Sequence, residues 1–109
     1  MSGIVTVYAV FVSEDDALRI GRQCVEERLA ACVNLLGPVR SIYRWQGRIE
    51  DDTEVAALFK TAVGGADGLI ARIAALHSYD VPAAVAWPIV AAHGPYAAWV
   101  AEETGVRKD

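Results

Sequence analysis

Two long strand-like arms flanking a tight turn, Cys32 to Thr61 (CVNLLGPVRSIYRWQGRIEDDTEVAALFKT), constrain this chain more than any other stretch. The turn is Gln46-Gly47, whose glycine suits the positive φ of a two-residue hairpin loop. Each arm is about twice the usual strand length of 5–6 residues. A chain of 109 residues cannot cover such a hairpin with its own core, so the excess is expected to meet another subunit. With Gln46 and Gly47 in the turn, Trp45 faces Arg48, Tyr43 faces Glu50 and Ser41 faces Asp52. Gly37-Pro38 is expected to break the ladder as a bulge or bend, because proline lacks an amide donor. Asp51-Asp52 is a second expected irregularity. The hairpin should therefore have a base in the core and a bent, projecting tip.

The other elements follow from periodicity. Ile4 to Val12 is a near-continuous, valine-rich apolar run and reads as a central strand covered on both faces. Ser13, with Asp16 three residues on, opens a helix whose first turn holds Glu14 and Asp15. Ala17, Leu18, Gly21, Cys24, Val25 and Leu29 form its expected apolar stripe. Gly64-Gly65 ends the third strand, Asp67 is the expected cap of the next helix, and Leu69, Ile70, Ile73, Leu76 and His77 mark its apolar side. Residues 78–82 read as a loop. Ala83 to Ala92 reads as a fourth strand, with Pro88 confining it to an edge or a bulge. Gly94-Pro95 opens a last helix. Tyr96, Trp99 and Val100 are its sticky side and Gly105 its C-cap. The order is βαββαβ plus a terminal helix, the ferredoxin-like α+β arrangement. Its bare sheet face, proline-interrupted edge and long hairpin all call for partners, which a closed cyclic assembly supplies without forming filaments.

Composition bounds the rest. The length suits one domain over residues 1–109, and 54% hydrophobic with 22% charged residues fits a globular class. A net charge of -4 leaves no basic stripe, so nucleic acid is not an expected partner. No apolar run reaches the roughly 18 residues that span a bilayer, so no membrane partner is expected. The start, Met1-Ser2-Gly3, has no basic n-region, and the expected compartment is the cytoplasm. Cys24 and Cys32 form no CxxC motif and read as two buried thiols in a reducing environment.

Several runs, in order and spacing, resemble the CutA divalent-ion tolerance family along almost the full length. They are Leu29-Ala-Ala-Cys-Val-Asn34, Ser41-Ile-Tyr-Arg-Trp-Gln-Gly47, Glu54 with Lys60-Thr61, Leu76-His-Ser-Tyr-Asp-Val-Pro82, Pro88-Ile89, and Tyr96 with Trp99. The resemblance implies a ferredoxin-like fold and a tight homotrimer whose long strands pair across subunits, similar in architecture to PII signalling proteins. It also implies an association with copper and other divalent cations. Two positions depart from the pattern. Ala83 stands where relatives often have Glu, and Ser78 where Pro is common; both put a ligand site near that loop in doubt.

The candidate residues fall into two groups. His77, just before Tyr79 and Asp80, is a candidate ligand for a weakly bound Cu(II) or other divalent cation, none of which is required for folding. Its structural alternative is a helix-ending histidine stabilised by the dipole. Cys32 is a soft donor suited to Cu(I), and His93 reads as a loop residue. The second group is Tyr43, Trp45, Glu50, Glu54 and Lys60, with Tyr79 joining it from the loop. It can form a wet pocket for a small polar ligand or a partner, or serve as an interface anchor. The run Glu50-Asp51-Asp52-Glu54 reads as solvated charge that alternating strand faces divide. No nucleophile–base pair or phosphate-binding motif is evident, so the chain is not expected to be an enzyme.

Overall fold

A computed structural model describes residues 2–105. The elements are β1 (Ile4–Phe11), α1 (Glu14–Glu26), β2 (Cys32–Trp45), β3 (Arg48–Ala62), a 3-10 turn (Val63–Gly65), α2 (Ala66–Leu76), β4 (Ala84–Pro88) and α3 (Gly94–Thr104). The strands form one antiparallel sheet in the order β2-β3-β1-β4, so the apolar run of β1 lies inside it. On one face Val7, Ala9 and Phe11 of β1 and Ala57 and Phe59 of β3 pack against Ala17, Ile20 and Cys24 of α1 and Leu69 and Ile73 of α2. On the other face α3 covers only one end, where Val100, Tyr96 and Ala97 meet Ile4 and Ala31. Beyond α3, that second face carries Tyr8 stacked on Trp87 at 5.6 Å, with Val85 beside them. Val85 and Trp87 are exposed large apolar side chains.

The hairpin has the expected length, 14 residues in β2 and 15 in β3. Gln46 (φ 51°) and Gly47 (φ 80°) are both left-handed, the signature of a type I′ turn, whose twist matches that of the strands it joins. Trp45 pairs with Arg48, Tyr43 with Glu50 and Ser41 with Asp52. The register slips once, between Leu35 and Gly37, so Leu36 is the extra residue of a bulge and Gly37 (φ 99°) absorbs the bend. The tip projects, and the molecule measures 49 × 28 × 22 Å.

Several expectations are corrected. The bulge expected at Gly37-Pro38 is present and centres on Leu36-Gly37, but Pro38 itself stays in the ladder: it pairs with Val55 on an edge strand, where its missing donor faces outward. Asp51 and Asp52 sit in regular register opposite Ile42 and Ser41. β1 stops at Phe11, and Val12 is exposed. Ser13 caps α1 as expected, its Oγ accepting from the Asp16 amide at 3.1 Å. The buried face of α1 uses Ile20 where Leu18 and Val25 were expected, because Gly21 lets the helix approach Val33 closely and this sets the rotation. Asp67 lies in the first turn of α2, whose N-cap is Gly65. The fourth strand covers only Ala84–Pro88, since Pro88 ends the ladder. Cys24 is buried, but Cys32 is only partly so. Among the described residues no helix is long and apolar enough to cross a membrane.

Candidate functional site

The alternation of β3 puts Glu50, Asp52 and Glu54 on one face, the one opposite α1 and α2. The cross-strand partners of the first two are Tyr43 and Ser41. The Tyr43 hydroxyl reaches diagonally and donates to Asp52 Oδ2 at 2.7 Å. From the loop after α2, the Tyr79 hydroxyl donates to Glu54 Oε2 at 2.8 Å. Glu54 is only 6% exposed, although its partner is a neutral phenol.

His77 holds the loop in place. It ends α2 with extended backbone (φ -72°, ψ 149°). Its Nδ1 accepts from the Tyr79 amide at 3.1 Å, which puts the ring proton on Nε2, 2.7 Å from the Val10 carbonyl. The ring stacks on Phe11 at 5.0 Å and touches the Tyr79 ring at 4.7 Å. Contacts therefore run from core (Phe11) to loop (His77, Tyr79) to a buried carboxylate (Glu54). Neither nitrogen of His77 can ligate a cation without giving up a backbone bond.

The loop and hairpin enclose a cleft of 920 Å³. Tyr8, Tyr43, Trp45 and Tyr79 line it as aromatic wall, and Asp52, Glu54 and Asp80 as carboxylates. Among the described residues no lysine, arginine or histidine lines it. Burial, then the bond to Glu54 and its charge, lift the Tyr79 phenol far above its usual range. The bond to Asp52, then burial and the nearby carboxylate charges, push Tyr43 up to about 12. Both phenols are thus held as hydroxyl donors at neutral pH.

Of the residues anticipated from sequence, Tyr43, Trp45, Glu54 and Tyr79 meet in this cleft. Glu50 shares the face but lies nearer the turn, outside the lining. Lys60 is six residues beyond Glu54, about 20 Å along β3 at 3.3 Å per residue, and its Nζ donates to Asn34 Oδ1 at 3.4 Å. Cys32 is also at that end, its Sγ 3.5 Å from the Tyr96 hydroxyl; this contact, then burial, push Tyr96 up to about 12. Cys32 and the Val10 contact of His77 are four register positions apart, about 13 Å along the strands, so the two candidate ligands share no shell. Among the described residues no three His, Cys, Asp or Glu side chains gather in a metal-holding group. His93 is exposed and precedes α3. Sequence reasoning missed Tyr8 and the role of Asp52. The parity of Glu50, Asp52 and Glu54 on one strand carried the latter signal. The acidic run is not simply solvated charge: Asp51 alone points to the other face, in a bidentate pair with Arg40 at 2.8 Å.

A family model described as CutA1 divalent ion tolerance protein matches residues 5–103. The divalent-cation tolerance protein CutA of Thermus thermophilus is 46% identical over 93 residues, which cover 85% of this chain and 90% of that one. A solved Thermus thermophilus structure superposes with a TM-score of 0.89 at 43% identity, covering 94% of this chain and 99% of the other. Protein CutA of Mus musculus is 40% identical over 102 residues, covering 91% of this chain and 58% of the mouse protein. This chain thus spans under two thirds of that relative. A structure described as the periplasmic divalent cation tolerance protein CutA of Archaeoglobus fulgidus superposes with a TM-score of 0.89 at 32% identity, covering 94% and 99% of the two chains.

Proposed function

The chain belongs to the CutA1 divalent ion tolerance protein family, and from that premise we propose that it is a non-catalytic homotrimer that holds divalent cations, copper among them, weakly and so contributes to tolerance of them. The observation that carries the reading is the sheet face that α3 leaves open, continuous with the acidic cleft. It presents Tyr8, Val85 and Trp87, while Tyr43 and Trp45 extend the same face onto the projecting hairpin. A continuous apolar surface of this kind marks an association site, and closure into a ring removes the free edges. The carboxylates of Asp52, Glu54 and Asp80 supply hard oxygen donors to a cation, and Cys32 a soft one to Cu(I). With so few donors per chain and the rest of the shell water, coordination is weak and exchangeable. Two free cysteines suit a reducing compartment, and we place the protein in the cytoplasm. Calorimetric titration of the assembled protein with Cu(II) tests the cation role. Weak binding, reduced further in Glu54→Gln or Cys32→Ser, is expected, and no heat of binding in the wild type would refute it.

A second reading is favoured by the size of the cleft: 920 Å³ suits a small organic molecule far better than a bare ion. On this reading the trimer is a PII-like module that binds a metabolite or a protein segment where the hairpin of one subunit meets its neighbour.

A further inference from the structure

Charge is laid out unevenly on the sheet face that α3 leaves open. At one level across that face stand Cys32, Lys60, Thr6 and Trp87, each the register partner of the next. Lys60 is therefore two strands from Trp87, about 10 Å. Trp87 is 45% exposed in the single chain and is one of the apolar side chains that association covers. Lys60 is half-buried, and its ammonium has one partner among the described residues, the neutral Asn34 Oδ1 at 3.4 Å. No described carboxylate lies within ion-pair reach of it. Covering Trp87 takes the Lys60 ammonium out of water, and an ammonium so removed needs a counter-charge. Arg48, the other basic residue of β3 on this face, is exposed at the turn, about 40 Å along the strand from that level, so covering Trp87 leaves it in water.

The opposite end of the face has the opposite imbalance. Asp52, Glu54 and Asp80 line the cleft, and among the described residues no basic side chain does. Glu54 is committed to Tyr79. Asp52 lies nearer the projecting tip and is exposed; its Oδ2 accepts from Tyr43, and its Oδ1 accepts no hydrogen bond among the described residues. Within one chain the two ends do not meet, because Asp52 and Lys60 are eight residues apart on β3, about 26 Å. Between copies they can, since a ring joins subunits head to tail through two unlike surfaces. We propose that each junction of the homotrimer is closed by an ion pair between Asp52 of one subunit and Lys60 of the partner subunit, which fixes the register of the otherwise apolar contact. The inference rests on the homotrimer proposed above and names the polar contact that closes it.

Sedimentation equilibrium of the full chain, in urea low enough that trimer and monomer coexist, tests it through a double-mutant cycle. Lys60→Gln and Asp52→Asn are each expected to weaken association about ten-fold per junction, and the double variant little more than either alone. At about 26 Å the two positions are too far apart to couple within one chain, so non-additivity reads a contact between copies. Lys60→Arg keeps the charge and is expected to associate as the wild type does, which separates the ion pair from a loss of fold. Asp52 is exposed, so Asp52→Lys carries the test should the Lys60 variants unfold; it is expected to weaken association more than Asp52→Asn. Additive losses in the cycle, or unchanged association in Asp52→Lys, overturn the ion pair and leave the trimer standing. A stable wild-type monomer or dimer overturns both.

Discussion

Tyr79→Phe removes one oxygen from the cleft and leaves the ring to pack. The lost hydroxyl is the one hydrogen-bond donor to Glu54 among the described residues, 2.8 Å from Oε2, and the carboxylate it serves is 6% exposed. Hydrogen bonds to charged groups contribute about 1.5–3 kcal/mol, and losing the donor exposes the desolvation cost of the acceptor. Glu54 lines an open cleft, so water can reach Oε2 once the hydroxyl is gone; the lower end, about 1.5 kcal/mol, is expected. The assay is equilibrium urea unfolding at one fixed chain concentration, because association contributes to apparent stability. A double-mutant cycle with Glu54→Gln isolates the pair, and its coupling should be about 1 kcal/mol. A loss below about 0.5 kcal/mol for Tyr79→Phe, the size of an ordinary surface change, would refute the reasoning. So would strict additivity with Glu54→Gln.

Other consequences follow from the same geometry. A Cβ on Gly21 would stand 2.8 Å from Val33 Cγ1, so Gly21→Ala should cost about 1–3 kcal/mol by overpacking the contact of α1 with β2, read by chemical denaturation. His77→Ala loses the bonds to Val10 and Tyr79 and the stack on Phe11, and should lower stability by about 2 kcal/mol while leaving Cu(II) affinity unchanged. Collapsed Cu(II) affinity with stability intact would instead make His77 a ligand. The Tyr43 phenol is raised from 10.0 to about 12, so its contribution is fully present below pH 10 and fades as pH rises through about 12. Absorbance titration should show the transition near 12 losing one phenol's amplitude in Tyr43→Phe, with Tyr96 still titrating there, whereas an amplitude lost near 10 instead would contradict the bond to Asp52.

Much of this fold was legible because single residues carried local rules. Gln46-Gly47 fixed the turn and, through it, the pairing of Tyr43 with Glu50. Ser13 gave the start of α1, and Gly94-Pro95 that of α3. The misses share a cause: position in the sheet overrode local propensity. Gly37-Pro38 marked the bulge, but Pro38 itself stays in the ladder because β2 is an edge strand, and Leu18 looked buried until Gly21 rotated α1 against Val33. Within the site, Tyr43, Trp45, Glu54 and Tyr79 could be read as candidates, but Lys60 was joined to them by type of residue rather than by distance along the strand. Tyr8 was hidden because it belongs to β1, and only the order of the strands brings β1 beside the hairpin. His77 was read as a candidate cation ligand or a helix-ending histidine, and the structure places it at the end of α2. One of its two backbone bonds is local, from the Tyr79 amide, but the other goes to the Val10 carbonyl 67 residues earlier in the chain, which no local pattern encodes.

The open sheet face and the projecting hairpin are central to this account, and multi-angle light scattering on a sizing column tests them most directly. The wild type should elute as a single species of three times the 11.7 kDa chain mass. Trp45→Ala, which removes an aromatic anchor 41% exposed in the single chain, should dissociate at higher concentration, by about 2 kcal/mol or more of lost association energy. A stable wild-type monomer at micromolar concentration would contradict the account.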